Sequence, residues 1–277
     1  MGIRRTSFWI FIYLALLVMA IFNLIPFFWM VTSSFKSEGE VFSYPATLFP
    51  NAPTVYAFSK IWFQEKFIKY FMNSLIVSIS TAAFSSMIGA FAAYGFSRFQ
   101  FKGKTLLMTI FLSSQMIPGV LLVGPYFKML SYVKLYNTLL GLILSQTTIT
   151  LPFSIWMLKG YVDTVPVEID QAAMVDGASR TRTFLMVVLP GILPGLVATI
   201  IFAFLLSWGD LLWALCLISA KSKQTLTLGI TQLVGEFRTE WSTIMAATVI
   251  ATMVPAVLYL LLQNFLIKGF TEAAVKG

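Results

Sequence analysis

The spacing of the charged residues constrains this chain more than any other feature. No Asp, Glu, Lys or Arg occurs between Arg5 and Lys36, Lys69 and Arg98, Lys104 and Lys128, Lys134 and Lys159, Arg182 and Asp210, or Glu240 and Lys268. Each of these runs exceeds the ~20 residues that a helix needs to cross ~30 Å of hydrocarbon. The predicted spans are 8–32, 70–96, 105–127, 137–158, 191–216 and 241–265. The expected fold is all-α: a polytopic bundle of six transmembrane helices forming a single domain over 1–277.

Composition agrees. Hydrophobic residues make up 58% of the chain and charged residues 11%, against about a quarter charged in a soluble domain. Lipid must serve as much of its solvent. The net charge of +8 lies in short clusters between apolar runs, which reads as membrane-surface anchoring rather than nucleic-acid binding. The sole cysteine is Cys216, and there is no histidine. A His/Cys zinc site and a His-dependent triad are both ruled out. No metal ligands and no catalytic residues are assigned. The first run follows Arg4 and Arg5 and continues to about Thr32 without a small-residue cleavage site, so it reads as a retained span. Six spans place both termini on one side. With the termini inside, Lys and Arg divide almost evenly between the two faces. The tight cluster Arg98, Lys102, Lys104 favours cytoplasmic termini, with 34–69, 128–136 and 217–240 outside.

Polar residues punctuate the spans. Ser74, Ser78, Thr81 and Ser85 form a helical stripe that continues into Gly89 and Ala93, a pattern suited to close helix packing. Pro118, Pro152, Pro194 and Pro255 lie within or at the ends of helices, where neighbours must re-satisfy freed backbone groups. Ser113, Ser114 and Gln115 sit midway through the third span, and the string SQTTIT (145–150) midway through the fourth. Such groups need either interhelical partners or a hydrophilic cavity. Asp210, at the expected outer end of the fifth span, has the same two readings, an interface anchor or a polar site.

The segment 159–190 is long and polar yet patterned for structure. Pro166 suits a first helical turn. Glu168 and Asp170 favour the positive end of a helix dipole. Gly177 after Asp176 suits a left-handed stop, and Ser179 can cap a second helix running through Phe184 to Leu189. Physics alone reads this as a docking surface or an amphipathic surface helix.

The string PVEIDQAAMVDGASRTRTFLMVVLPGILPG resembles the EAA loop of ABC-importer permeases, in the spacing typical of maltose-type carbohydrate importers. SSFKSEGEVF, PTVYAFSKIW, YFMNSLIVS, AAYGFSRFQFKGK and the C-terminal GFTEAAVKG extend the resemblance to nearly the whole chain, matching the smaller six-span permease of that family. Two positions depart from it. Gln171 replaces the Glu of the loop's Glu-Ala-Ala, and Trp208-Gly209-Asp210 stands where Trp-Asn-Glu is common. The resemblance implies a cytoplasmic coupling loop at 159–190. There Glu168, Gln171, Ala172, Ala173, Asp176 and Gly177 would engage an ATPase. It implies a second permease as heterodimer partner, two cytoplasmic ATPase subunits that hold ATP and Mg, and an extracytoplasmic sugar-binding protein. It also implies a multi-pass location in a bacterial or archaeal cell inner membrane. This chain has no G-x-x-x-x-G-K-[ST] loop, so it is expected to bind no cofactor and to be no enzyme itself.

A gradient-driven secondary transporter, a scaffold that anchors a partner through the same loop, and an importer of a polyol phosphate are the competing readings. A secondary transporter usually carries several intramembrane ionisable groups; here only Asp210 qualifies. The candidate substrate path comprises Gln115, Tyr126, Gln146, Thr147, Thr150, Trp208, Asp210 and Trp213. Amides, hydroxyls and aromatics without Lys or Arg suit a neutral sugar better than an anion.

Overall fold

The computed structural model describes the backbone of residues 2–63, 67–234 and 239–274, and side chains over 8–63, 67–234, 239–263 and 265. The side chains of Arg4, Arg5 and the whole string at 269–277 lie outside these. Among the described residues the secondary structure is entirely helical and contains no strand.

The chain forms two compact units, one of residues 1–67 and 230–253, the other of 68–229 and 254–277. In the first, α1 (Gly2–Ser34) presents its apolar run, from Phe8 onward, almost wholly outward. Two short helices follow, α2 (Glu38–Val41) and α3 (Tyr56–Phe63). Glu38 accepts from the Trp241 and Ser242 amides, each at 2.9 Å. This places a carboxylate on the free N–H groups that open α14 (Trp241–Ala274), where the helix dipole favours negative charge. Lys60 pairs with Glu240 at 2.5 Å beside it.

The second unit is built on α4 (Phe67–Arg98) and α7 (Leu139–Thr164). The C-terminal half of the small-residue stripe of α4 meets α7. Ser85 and Ser154 share a hydrogen bond at 2.8 Å, and a Cβ on Gly89 would lie 3.1 Å from that of Ser154. Ser74 accepts from the Leu226 amide, while Ser78 and Thr81 are buried without a hydrogen-bond partner among the described residues. Small residues here let two backbones approach, which is how helices associate without a hydrophobic driving force.

Four helices are each long and apolar enough to cross a membrane: α1 from Phe8, α4, α7, and α14 as far as Gln263. Two bent pairs bring the total to six if each counts as one span. The first is α5 (Lys104–Ser114) with α6 (Gly119–Tyr132), bent by 100°. The third expected span is therefore broken at residues 115–118. Ile117 precedes Pro118, whose ring disfavours helical geometry at the residue before it. The second pair bends by 82° at Ile192, between Arg180–Gly191 and α11 (Leu193–Trp208). Pro190 and Pro194 flank this bend, and a proline both lacks a donor and crowds the carbonyl four residues earlier. Residues 180–191 run as α9 (Arg180–Thr183), a π-helical turn (Phe184–Val188) and α10 (Leu189–Gly191). Pro152 and Pro255, by contrast, sit inside uninterrupted helices.

The fifth expected span ends early. α11 stops at Trp208, and a separate short helix, α12 (Leu212–Leu217), follows the break. α13 (Leu226–Thr231) closes the segment. The helix of the fourth expected span, α7, runs six residues beyond 158 into the segment read as loop, where Tyr161 and Val162 are buried against Phe184, Val188 and Ile192.

Candidate functional site

Two places concentrate polar chemistry. At the first, α8 (Val167–Val175) follows Pro166 directly. It ends in the left-handed stop expected at Gly177, whose φ is +86°. The Ala178 amide reaches back to the Ala173 carbonyl at 3.0 Å and the Gly177 amide to that of Met174 at 3.1 Å, a reverse-turn cap that satisfies carbonyls the helix leaves free. Ser179 accepts from the Arg182 amide and caps α9.

An ion pair ties α8 to α4. Arg98 Nε donates to Asp170 Oδ2 at 2.9 Å, and Nη2 donates to Oδ1 at 3.3 Å and to the Val165 carbonyl at 2.8 Å. Both side chains are almost fully buried. One residue earlier, Ser97 donates to Asp163 at 2.6 Å, and Lys159 completes that site from the preceding turn of α7. The end of α4 thus clamps the end of α7 and the middle of α8 together. A planar guanidinium suits this role because its fork meets a carboxylate with two parallel bonds. Asp170, read from the sequence as complementing a helix dipole, spends its charge on Arg98. The outward face of α8 carries Val167, Glu168, Gln171, Ala172 and Val175, with Asp176 and Gly177 beyond it; Ala173 is half-buried. Val175 is 87% exposed.

The second place is the polar layer midway along α7. Gln146, 4% exposed, donates through Nε2 to Asp210 Oδ2 at 3.0 Å and accepts through Oε1 from the Ser207 hydroxyl. Asp210 also accepts from the Trp213 and Ala214 amides at 3.3 and 3.1 Å. Its carboxylate is turned onto the start of α12, not outward to an interface, because those amides have no helical partner of their own. The Thr227 hydroxyl donates to the Asp210 carbonyl. Trp213 stands edge-on to Tyr126 at 4.9 Å, and the Tyr126 and Thr148 hydroxyls share a hydrogen bond at 2.6 Å.

The structure therefore sorts the sequence candidates. Gln115 and Thr148 are exposed, and Tyr126 and Asp210 partly so. Gln146, Thr147, Thr150, Trp208 and Trp213 are buried behind them. The Thr147, Thr148 and Thr150 hydroxyls all donate to α7's own carbonyls, and that of Thr148 also meets Tyr126. Gln115 donates to the Ile149 carbonyl at 2.8 Å from the broken third span. Ser207, Thr227 and the Arg98–Asp170 pair went unrecognised in the sequence, and Thr148 was marked only as part of the polar string 145–150; single Ser and Thr residues carry no local signal, and the ion pair joins positions 72 apart.

Apolar helices, a polar layer within them and a clamped helix outside the spans define a membrane transport subunit. A family model described as the inner membrane component of binding-protein-dependent transport systems matches residues 85–272. The chain belongs to this family. It is 34% identical to the inner membrane ABC transporter permease protein YcjP of Escherichia coli K12, covering 99% of each chain. It is 32% identical to the trehalose/maltose transport system permease protein MalG of Thermococcus litoralis, covering 94% of each. The fold matches that of a bacterial ABC transporter involved in import of the acidic polysaccharide alginate, with a TM-score of 0.83 at 17% identity over 95% of this chain and 98% of that one. The chain is a multi-pass inner-membrane permease of an ABC importer, and ATP hydrolysis belongs to a separate subunit.

Proposed function

We propose that this chain is the smaller permease of a sugar importer, acting over residues 1–277 as one transport domain. It pairs with a second permease, receives sugar from an extracytoplasmic binding protein, and alternates between outward- and inward-facing states as two cytoplasmic ATPase subunits bind and hydrolyse ATP with Mg. Both termini lie in the cytoplasm. The observation that carries the coupling half of this reading is the Arg98–Asp170 pair. It fixes α8 to a membrane-spanning helix, so a push on the outward face at Glu168, Gln171, Ala172, Asp176 and Gly177, with the half-buried Ala173 beside them, is transmitted rather than absorbed. Two charges buried together tolerate little displacement.

The substrate path runs along Gln115, Tyr126 and Asp210, with Thr148 added to it. Gln146, Thr147, Thr150, Trp208 and Trp213 form the supporting layer behind. No Lys or Arg lies within this set, so the substrate is a neutral mono- or oligosaccharide, whose hydroxyls pair with amides and hydroxyls and whose ring faces pack on aromatics. The trehalose/maltose assignment of the T. litoralis relative supports the sugar class. Uptake by the assembled importer in proteoliposomes tests it. ATP-dependent accumulation of a neutral disaccharide or trisaccharide is expected. Uptake of a sugar phosphate alone would overturn the neutral assignment, and uptake driven by an ion gradient without ATP would overturn the importer itself.

A further inference from the structure

We infer that Gln146 and Asp210 form a latch that spans the break between α11 and α12 and positions the Tyr126–Thr148 surface for transport. The inference rests on the substrate path proposed above. Gln146 takes Ser207 on its oxygen, from the last turn of α11, and Asp210 on its nitrogen, from the break itself. One buried amide on α7 therefore holds both edges of the discontinuity. Asp210 in turn caps α12 at Trp213 and Ala214, and the Trp213 ring sets that of Tyr126. The chain of contacts runs from α7 through the break to α6 and returns to α7 at Thr148. The groups around the carboxylate are all neutral donors: an amide and two backbone N–H groups. Its remaining neighbours across the break, Ser207 and Thr227, donate to Gln146 and to the Asp210 backbone, respectively. Gln146 is thus a positioning residue, and Asp210, at the border of the path, positions Trp213 and Tyr126 through its carboxylate.

The pairing has a directional signature. In Q146E two carboxylates meet in a buried site, and charges of one sign repel there with little screening. D210N alone leaves a readable pair if the Gln146 amide turns over, and loses one acceptor for the α12 amides. In Q146E/D210N, the new carboxylate at 146 accepts from Ser207 and from the new amide at 210, while that amide's oxygen still caps α12. The substitution D210N is therefore mildly harmful in the natural chain and corrective in Q146E.

The experiment measures initial sugar uptake, and ATP hydrolysis stimulated by the loaded binding protein, in proteoliposomes of the complete importer. Melting of the same complexes is followed in parallel. Q146E is expected to lower the maximal uptake rate about tenfold, with a smaller change in the half-saturating concentration. D210N is expected to lower it about twofold, and the double variant to return to within about threefold of the natural importer. An uptake rate for the double variant no higher than for Q146E, or unaltered uptake in Q146E, would overturn the latch. So would full recovery of melting in the double variant without recovery of uptake, which would reduce the pair to a structural contact. If the natural importer moves no sugar at all, the sugar reading fails; the latch is then scored by stimulated ATP hydrolysis with whichever substrate the importer does carry.

Discussion

Gly177 adopts a φ of +86° with nothing within 4 Å of a Cβ built there. The obstacle to a side chain is therefore its own backbone, since Cβ crowds the following carbonyl in the left-handed region. Gly177→Val is expected to cost about 1–2 kcal/mol locally and to reorient the turn that ends α8. Transport should fall several-fold while the amount of inserted permease, followed by immunoblot, stays unchanged. Normal uptake together with normal ATPase stimulation would mean that the turn is not needed for coupling. Arg98 and Asp170 make a sterner case. Removing one partner of a buried pair typically costs about 3–5 kcal/mol because the other charge is stranded. Asp170→Ala and Arg98→Ala should each melt the assembled importer at lower temperature and uncouple ATP hydrolysis from uptake. Arg98→Lys should recover little, because an ammonium cannot meet both carboxylate oxygens and the Val165 carbonyl with the same fork.

At the scale of elements, α8 is rigid where it meets α4 and open where it faces outward. Gln171 lies on the open side, next to the acids that begin the helix. Gln171→Glu is nearly isosteric and is expected to leave ATPase assembly intact, as measured by co-purification. Loss of assembly in that variant would reveal an acidic partner surface at this position. Packing between α11 and α7 is tighter. A Cβ at Gly195 would fall 2.2 Å from the Tyr161 ring, and Tyr161 is buried in the same cluster as Phe184 and Val188. Gly195→Val should therefore destabilise the permease by about 1–3 kcal/mol through overpacking, read as a lowered melting temperature in detergent. A melting temperature equal to that of the natural chain would show that the two helices can separate without cost.

For the whole molecule, the expectation is one of sidedness. With the termini in the cytoplasm, the α8–α9 turn faces inward and the segment after α1 faces outward. Tyr44 is 99% exposed and Ser179 is exposed on its turn, so both sites accept a reporter cysteine on a Cys216→Ser background. A membrane-impermeant maleimide applied to intact cells should label Tyr44→Cys and spare Ser179→Cys. The opposite pattern would invert the topology and move α8 away from any cytoplasmic ATPase.

The amino-acid sequence by itself determined the membrane. Charges are costly in hydrocarbon, so six charge-free runs leave little freedom in where the chain crosses. The α8–α9 turn was also legible, since Pro166, Gly177 and Ser179 act through local backbone geometry that neighbours in sequence suffice to define. Tertiary structure alone decided how the spans are broken and which polar groups face outward. Pro152 leaves α7 continuous while Pro118 coincides with a bend of 100°, because a proline removes one backbone bond and the surroundings determine whether the helix goes on. Asp170 and Asp210 are each one carboxylate in a string. Only folding brings Arg98 to the first and Gln146 to the second, from 72 and 64 positions away. Burying a charge is tolerable only where such partners converge, and that convergence is a property of packed helices.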